Sequence, residues 1–336
     1  MITKKNTTLE VFKLFAAYMV VFIHVLFDGR VGEIIDAVAR FAVPLFFLIS
    51  GYFSYQISTD KIKMRTKHIF KLFLLTSIIY NIYHFVDQFL MYGKNGAISF
   101  LNHRLNPTAL IKLILLNDSK TDWHVWYLLA ILYVYIIYYF ATKFHVKEKV
   151  IFIVGAVLLV VHMLLDEGSF IIAPNFNSLY VRNFALSGIP YFSMGLFVRK
   201  YIDKFRTTPN YVAIITAIMG VIFTIVSRYI TGKNNLYIGS LFILFSVVVT
   251  FVKYPDVKYP RFVMAITSCS TYIYIFHRLV AQILVKIYQA RHIDINTCAV
   301  LRNIHPILVC IITTILSYVI IKITNKKALK KQIENK

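Results

Sequence analysis

The stretch "LEVFKLFAAYMVVFIHVLF", residues 9–27, is apolar almost throughout, yet it carries Glu10 and Lys13 near one end and His24 deep inside. A run of this length matches the roughly 20 residues that a helix needs to cross the hydrocarbon core of a bilayer. The rest of the chain repeats the theme: 58% of its 336 residues are hydrophobic and the mean hydropathy is +0.67. Lipid offers no partner to a bare peptide group, so such a chain is expected to be all-α, a polytopic integral membrane protein. The first run is too long for the apolar region of a secretory signal and is followed by no small-residue cleavage site, so it is expected to be retained.

Ten candidate spans follow from hydropathy, at about 10–28, 34–56, 68–91, 123–142, 149–166, 184–202, 210–229, 236–252, 262–289 and 305–325. An even number puts both termini on one side. The segments "STDKIKMRTKH", "TKFHVKEK", "VRKYIDKFR", "VKYPDVKYPR" and "TNKKALKKQIENK" alternate with basic-poor loops at 92–122, 167–183, 230–235 and 290–304. By the positive-inside rule the basic set, together with "MITKK", is cytoplasmic. The expected organisation is a single transmembrane domain over 1–336 that ends in a basic cytoplasmic tail, 326–336.

The formal charge of +22 sits mostly in these short loops, where it sets topology and meets lipid headgroups, which argues against a nucleic-acid partner. Cys269, Cys298 and Cys310 show neither an even count nor metal-ligand spacing, so packing roles are expected, with no disulfide framework and no metal. Within the longest external loop, "ALIKLILL" (109–116) is expected as a half-buried helix near the membrane surface.

On a helix advancing about 100° per residue, Lys13 and His24 fall within about 20° of one face and about 16 Å apart, with Glu10 joining them. Ionisable groups at such depth usually face a bundle interior or a watered cavity. Glu10 and Lys13 could equally snorkel to the cytoplasmic interface, a reading that suits His24 less well. The second run, "RFAVPLFFLISGYF" (40–53), places Arg40 inside a span, with Pro44 as a source of kinking and Gly51 as a site of close packing. Arg40 at a depth like that of His24 suggests a cavity for an anion, and a snorkelled arginine is the plainer alternative.

In "DWHVWYLLAILYVY" (122–135), Trp123, Trp126 and Tyr127 suit an interface belt, while Asp122 and His124 are expected as titratable groups at the outer surface. In "SCSTYIYIFHRL" (268–279), Ser270, Tyr274 and His277 lie at i, i+4 and i+7, a polar stripe on one helix face.

Taken in order, these segments resemble a known family. "LEVFKLFAAYMVVFIHV" resembles the first-helix signature of the membrane acyltransferase-3 family, a basic residue followed by ten others and then histidine. "RFAVPLFFLISGYF", "WHVWYLLAILYVY", "PYFSMGLFVRK" and "STYIYIFH" resemble its later motifs, over about residues 8–325. The resemblance implies ten helices and transfer of an acyl group, usually acetyl from cytosolic acetyl-CoA, to a hydroxyl of a cell-surface or lipid-linked glycan. It makes His24 the catalytic histidine and puts Lys13 where the family usually has arginine, with Glu10 as the accompanying acid. Lysine keeps the charge but loses the bidentate fork. A Lys-, Ile- and Asn-rich composition points to a low-GC genome, and so toward a capsule or exopolysaccharide acceptor.

A neutral imidazole, with an unperturbed pKa of about 6.5, can take the proton of a hydroxyl as it attacks a thioester. The expected roles are His24 as general base, Arg40 or His277 beside developing negative charge, and Lys13 with Glu10 at donor entry. His277, Tyr274, Ser270, Trp126 and His124 are the expected substrate-binding residues. An exporter of a glycan, or a small-molecule permease, is the alternative that ten spans with an interior polar stripe also suit.

Overall fold

The computed structural model describes residues 6–117, 121–172, 180–295 and 297–334, and among them there is helix and no strand. Segment "MITKK", parts of the loops at 92–122, 167–183 and 290–304, and the side chains of the tail from 327 on lie outside the described residues. The helices are α1 (Thr7–His24), α2 (Gly29–Ala39), α3 (Ala42–Tyr52), α4 (Thr59–Leu105), α5 (Pro107–Leu116), α6 (Trp126–Lys143), α7 (Glu148–Leu165) and a short α8 (Ser169–Ile172). A π-helical turn, Phe184–Gly188, leads into α9 (Ile189–Lys200), followed by α10 (Ile202–Thr207), α11 (Asn210–Thr231), α12 (Ile238–Lys253), α13 (Arg261–Thr267), α14 (Ser270–Ala290) and α15 (Ala299–Glu334).

Every one of the ten expected spans coincides with helix, and among the described residues seven stretches are long and apolar enough to cross a membrane: Thr7–His24, Gly29–Tyr52, Thr59–Leu105, Trp126–Lys143, Glu148–Leu165, Asn210–Thr231 and Ala299–Lys326. At 16 residues, Ile238–Lys253 is apolar but short.

Two spans differ from expectation for physical reasons. The second span is not one kinked helix over 34–56 but two helices that meet at Arg40 and Phe41. Pro44 has no N–H for the carbonyl of Arg40 and its ring crowds that carbonyl, so the helix must stop and restart with the proline in its first turn. The third is much longer than 68–91: α4 runs for 47 residues, turning at Gly93 where φ is +61°. A left-handed residue is tolerated there because glycine has no Cβ, and much of the expected loop after residue 92 is therefore helical. Within that region, "ALIKLILL" does form a helix, α5, which is capped by Asn106 and starts on Pro107.

The chain groups into two compact units, residues 1–43, 203–232 and 237–336 in one, and 44–202 with 233–236 in the other. In the first, the start of α1 is tied to the end of α12. Asn6 accepts from the Leu9 N–H at 2.8 Å and donates to the Phe251 carbonyl at 2.8 Å. The Thr7 N–H and hydroxyl bond to the carbonyls of Pro255 and Val257, and the Thr8 hydroxyl to that of Tyr254. Orphan donors at one helix start thus meet orphan carbonyls beyond another helix end. Packed on this frame, α1 buries Leu9, Leu14, Ala16, Ala17, Val20 and Val21.

In the second unit, α3 and α9 pack with almost no gap. A Cβ on Gly195 would lie 1.9 Å from the Leu48 carbonyl oxygen, and one on Gly51 1.9 Å from that of Phe192. Small residues allow this approach in a membrane, where packing rather than water drives helix association. Asp166, at the end of α7, accepts from the backbone N–H groups of Asn235 and Leu236 and from the Asn235 side chain, which holds 233–236 to this unit. Of the cysteines, Cys269 is buried, Cys310 half-buried and Cys298 exposed, so a packing role does not extend to Cys298.

Gly195→Ala should force α9 away from the α3 backbone at a cost of about 1–3 kcal/mol. A fall in the unfolding midpoint of the detergent-solubilised protein checks this, and an unchanged midpoint would contradict the close packing.

Candidate active site

His24 is the last residue of α1, half-buried, and its ring lies beside that of His277 on α14, with centroids 5.2 Å apart. His277 is fully buried, and its Nδ1 sits 2.7 Å from the Tyr274 carbonyl one turn back. A carbonyl only accepts, so Nδ1 carries the hydrogen and a neutral His277 has its lone pair on Nε2. Next to it, Arg278 donates from Nη1 to the His24 carbonyl at 3.5 Å, closing the C-terminus of α1. An imidazole that is partly exposed, a second imidazole of fixed tautomer and a guanidinium therefore share the end of α1.

The polar stripe on α14 faces inward as expected. Ser270, Tyr274 and His277 are all buried, at 3%, 6% and 0% exposure. Ser270 is occupied locally, donating to the Thr267 carbonyl at 2.6 Å across the joint between α13 and α14.

The expected catalytic residues do not all gather at His24. Lys13 and Glu10 pair with each other at 3.2 Å, near the other end of α1. Eleven residues at 1.5 Å each separate Lys13 from His24 by about 16 Å along the axis. Arg40 is 6% exposed and pairs at 2.5 Å with Asp36, one turn earlier. It is therefore neither a snorkelled surface group nor an uncompensated cation; its charge is already matched by a buried carboxylate.

A second titratable cluster lies in the other unit. Asp122 and His124 are buried, at 8% and 1% exposure, which corrects their expected place at the outer surface. One Asp122 oxygen lies 3.4 Å from His124 Nδ1, the other 3.5 Å from His84 Nε2, and the Tyr80 ring packs 4.9 Å from that of His124. Trp126 is half-buried at the start of α6 against Phe47, while Trp123 is 76% exposed. Among the described residues, no group of three or more His, Cys, Asp or Glu is placed to hold a metal ion.

Five residues escaped the sequence reading. Asp36 was detectable as an acid four residues before an intramembrane arginine, a spacing that pairs charges on a helix. Arg278 was visible in "FHRL" as a charge beside a buried histidine. His84, and the Asp28–Arg302 ion pair at 2.7 Å that links the start of α2 to α15, carry no local signal, because their partners are distant in sequence.

A family model described as "Acyltransferase domain" (Acyl_transf_3) matches residues 6–322, nearly the whole chain. The chain belongs to that family. An amino-acid racemase of Enterococcus faecalis is 31% identical over 129 residues, a match that covers 35% of this acyltransferase-family chain but only 17% of the racemase. No solved structure matches. Membership of this family together with the long apolar helices points to a membrane protein.

Asp36→Asn should leave Arg40 as a buried charge without its carboxylate, destabilising the protein by about 3–5 kcal/mol. The Asp36→Leu/Arg40→Met double variant should recover most of that loss. Thermal unfolding in detergent measures both, and equal stability of the single variant and the wild type would show that the pair contributes nothing.

Proposed function

We propose that this protein transfers an acyl group, most simply acetyl, from cytosolic acyl-CoA to a hydroxyl of a cell-surface or lipid-linked glycan, with His24 as general base. The observation that carries the reading is the pairing of half-buried His24 with buried His277, rings 5.2 Å apart, at the end of the first helix. His24 is the family's motif histidine by resemblance, and it is partly open where a base must meet an acceptor.

The chemistry follows from those groups. His24 takes the proton of the acceptor hydroxyl as its oxygen attacks the thioester carbonyl. The carbon–sulfur bond then breaks, the ester forms, and CoA leaves as a thiol by taking up the proton that the imidazole held. Arg278 is the donor for the negative charge that develops on the carbonyl oxygen, a charge that fixed donors in a dry site stabilise strongly. His277, an acceptor at Nε2 in its neutral form, positions the His24 ring it packs against. Lys13 with Glu10, at the other end of α1, organises donor entry. Tyr274 and Ser270 line the α14 side. The alternation of basic and basic-poor loops supports residence in the cell membrane with both termini cytoplasmic.

In nanodiscs given acetyl-CoA and a panel of glycan acceptors, acceptor-dependent thiol release is expected. His24→Ala should lower it by about 10²–10⁴-fold while acetyl-CoA still binds. Wild-type rates in His24→Ala would remove the base assignment. Movement of a glycan across the membrane with no thiol released would replace transfer by export.

His277→Ala should lower kcat by about 10²-fold with little change in the acyl-CoA KM, as loss of a group that positions the base does. A rise in KM alone would make His277 a binding group.

A further inference from the structure

The second unit holds a group of buried polar side chains that acyl transfer leaves unused. His162 lies in the last turn of α7, Asp166 at its end and Tyr191 in the first turn of α9, each 4% exposed or less. The His162 and Tyr191 rings meet edge to face, with centroids 6.2 Å apart. Among the described residues, neither ring nitrogen of His162 nor the Tyr191 hydroxyl has a hydrogen-bond partner, and a buried polar atom left unpaired is costly. His162 Nε2 stands 3.7 Å from Asp166 Oδ2, within ion-pair range but about 1 Å beyond a charge-assisted hydrogen bond. We propose that these three side chains form a proton-binding site: a proton taken up by His162 makes its ring the counter-ion of Asp166 and loosens the hold of Asp166 on residues 235 and 236.

Proton counting chooses the ligand. A neutral imidazole offers one N–H and one lone pair, and here neither is used. An imidazolium offers two N–H groups, one beside a buried carboxylate and the other for a phenol oxygen that no other group uses. The carboxylate oxygen it approaches is already engaged. Asp166 Oδ2 accepts from the Leu236 N–H at 2.7 Å, and Oδ1 from the Asn235 N–H and side chain at 3.2 Å each. An imidazolium brings a full charge where an amide brings a dipole, and at low dielectric that difference is large, so the carboxylate is drawn from the Leu236 N–H toward the ring. Asn235 is half-buried, which leaves the carboxylate one residue below the surface and gives a proton a short way in. The surrounding ionisable groups are few. Glu167 follows Asp166 and is half-buried, Arg182 bonds the Asn235 side-chain oxygen, and Lys233 is exposed. The π-helical turn Phe184–Gly188 and α8 carry none, and on α9 the next after Tyr191 are Arg199 and Lys200, about 12 Å further along. Residues 233–236 join α11 to α12, so the proton sets how firmly that connection is held.

The test is amide hydrogen exchange on the full-length protein in nanodiscs, read on a peptide spanning 233–236 as protection relative to the intrinsic rate at each pH. Between about pH 8 and about pH 5.5, where an imidazole takes up its proton, protection there is expected to fall at least about tenfold, the loss of one hydrogen bond to a charged group. A peptide within α12, 241–252, should keep its protection over the same range. His162→Gln, which cannot take the proton, should hold the higher protection throughout, and Asp166→Asn should remove the pH response by removing the charge. Wild-type protection that does not change with pH overturns the proposal whether or not the variants fold. So does an equal fall in His162→Gln, which puts the titration on another group, and so does a parallel fall in the α12 peptide, which marks general loosening in acid.

Discussion

The bonds of Asn6, Thr7 and Thr8 to the carbonyls of Phe251, Tyr254, Pro255 and Val257 close the chain on itself across 245 to 250 residues. Closing so long a loop costs entropy that grows only slowly with length, and several bonds made together offset it. The clasp holds the start of α1 in a medium that gives no hydrophobic penalty for sliding or turning. With it, the rotational setting of α1 is determined at residue 8, and His24 follows more than four turns later as a consequence of helix geometry. The encounter of His24 with His277 is therefore decided at the opposite end of α1.

The helical architecture was legible because a bilayer imposes length and hydropathy together: every expected span falls on helix. Boundaries were less legible where polarity and structure part company. Residues 94–105 are too polar on average to read as a span, yet they form a further helical stretch beyond the break at Gly93. The break at Arg40 was written in Pro44, but a proline four residues on reads equally as a kink, and only the position of the restarted helix decides between them.

The site was legible in parts for a related reason. His24, Tyr274, Ser270 and His277 announced themselves as polar groups in apolar helices, and periodicity placed the last three on one face. Sequence could not show which charges had already found partners. Arg40 looked like a cation awaiting an anion, and Asp36 supplies one at hydrogen-bond distance. Asp122 and His124 looked like surface groups because they precede a helix beside two tryptophans; they are buried because His84 and Tyr80 come to them from α4. Low dielectric makes an unpaired polar group costly, so inside a membrane protein such groups find one another, and those partners are usually remote in sequence.

The placement of the tryptophans has a spectroscopic consequence. The chain contains two, Trp123 and Trp126, separated by a single helical turn and bracketing His124. One indole is largely exposed and the other half-buried against Phe47. All the intrinsic tryptophan emission of the protein therefore originates from one short segment at the head of α6. Its intensity and colour report on the surroundings of the Asp122 cluster, free of background from the rest of the chain.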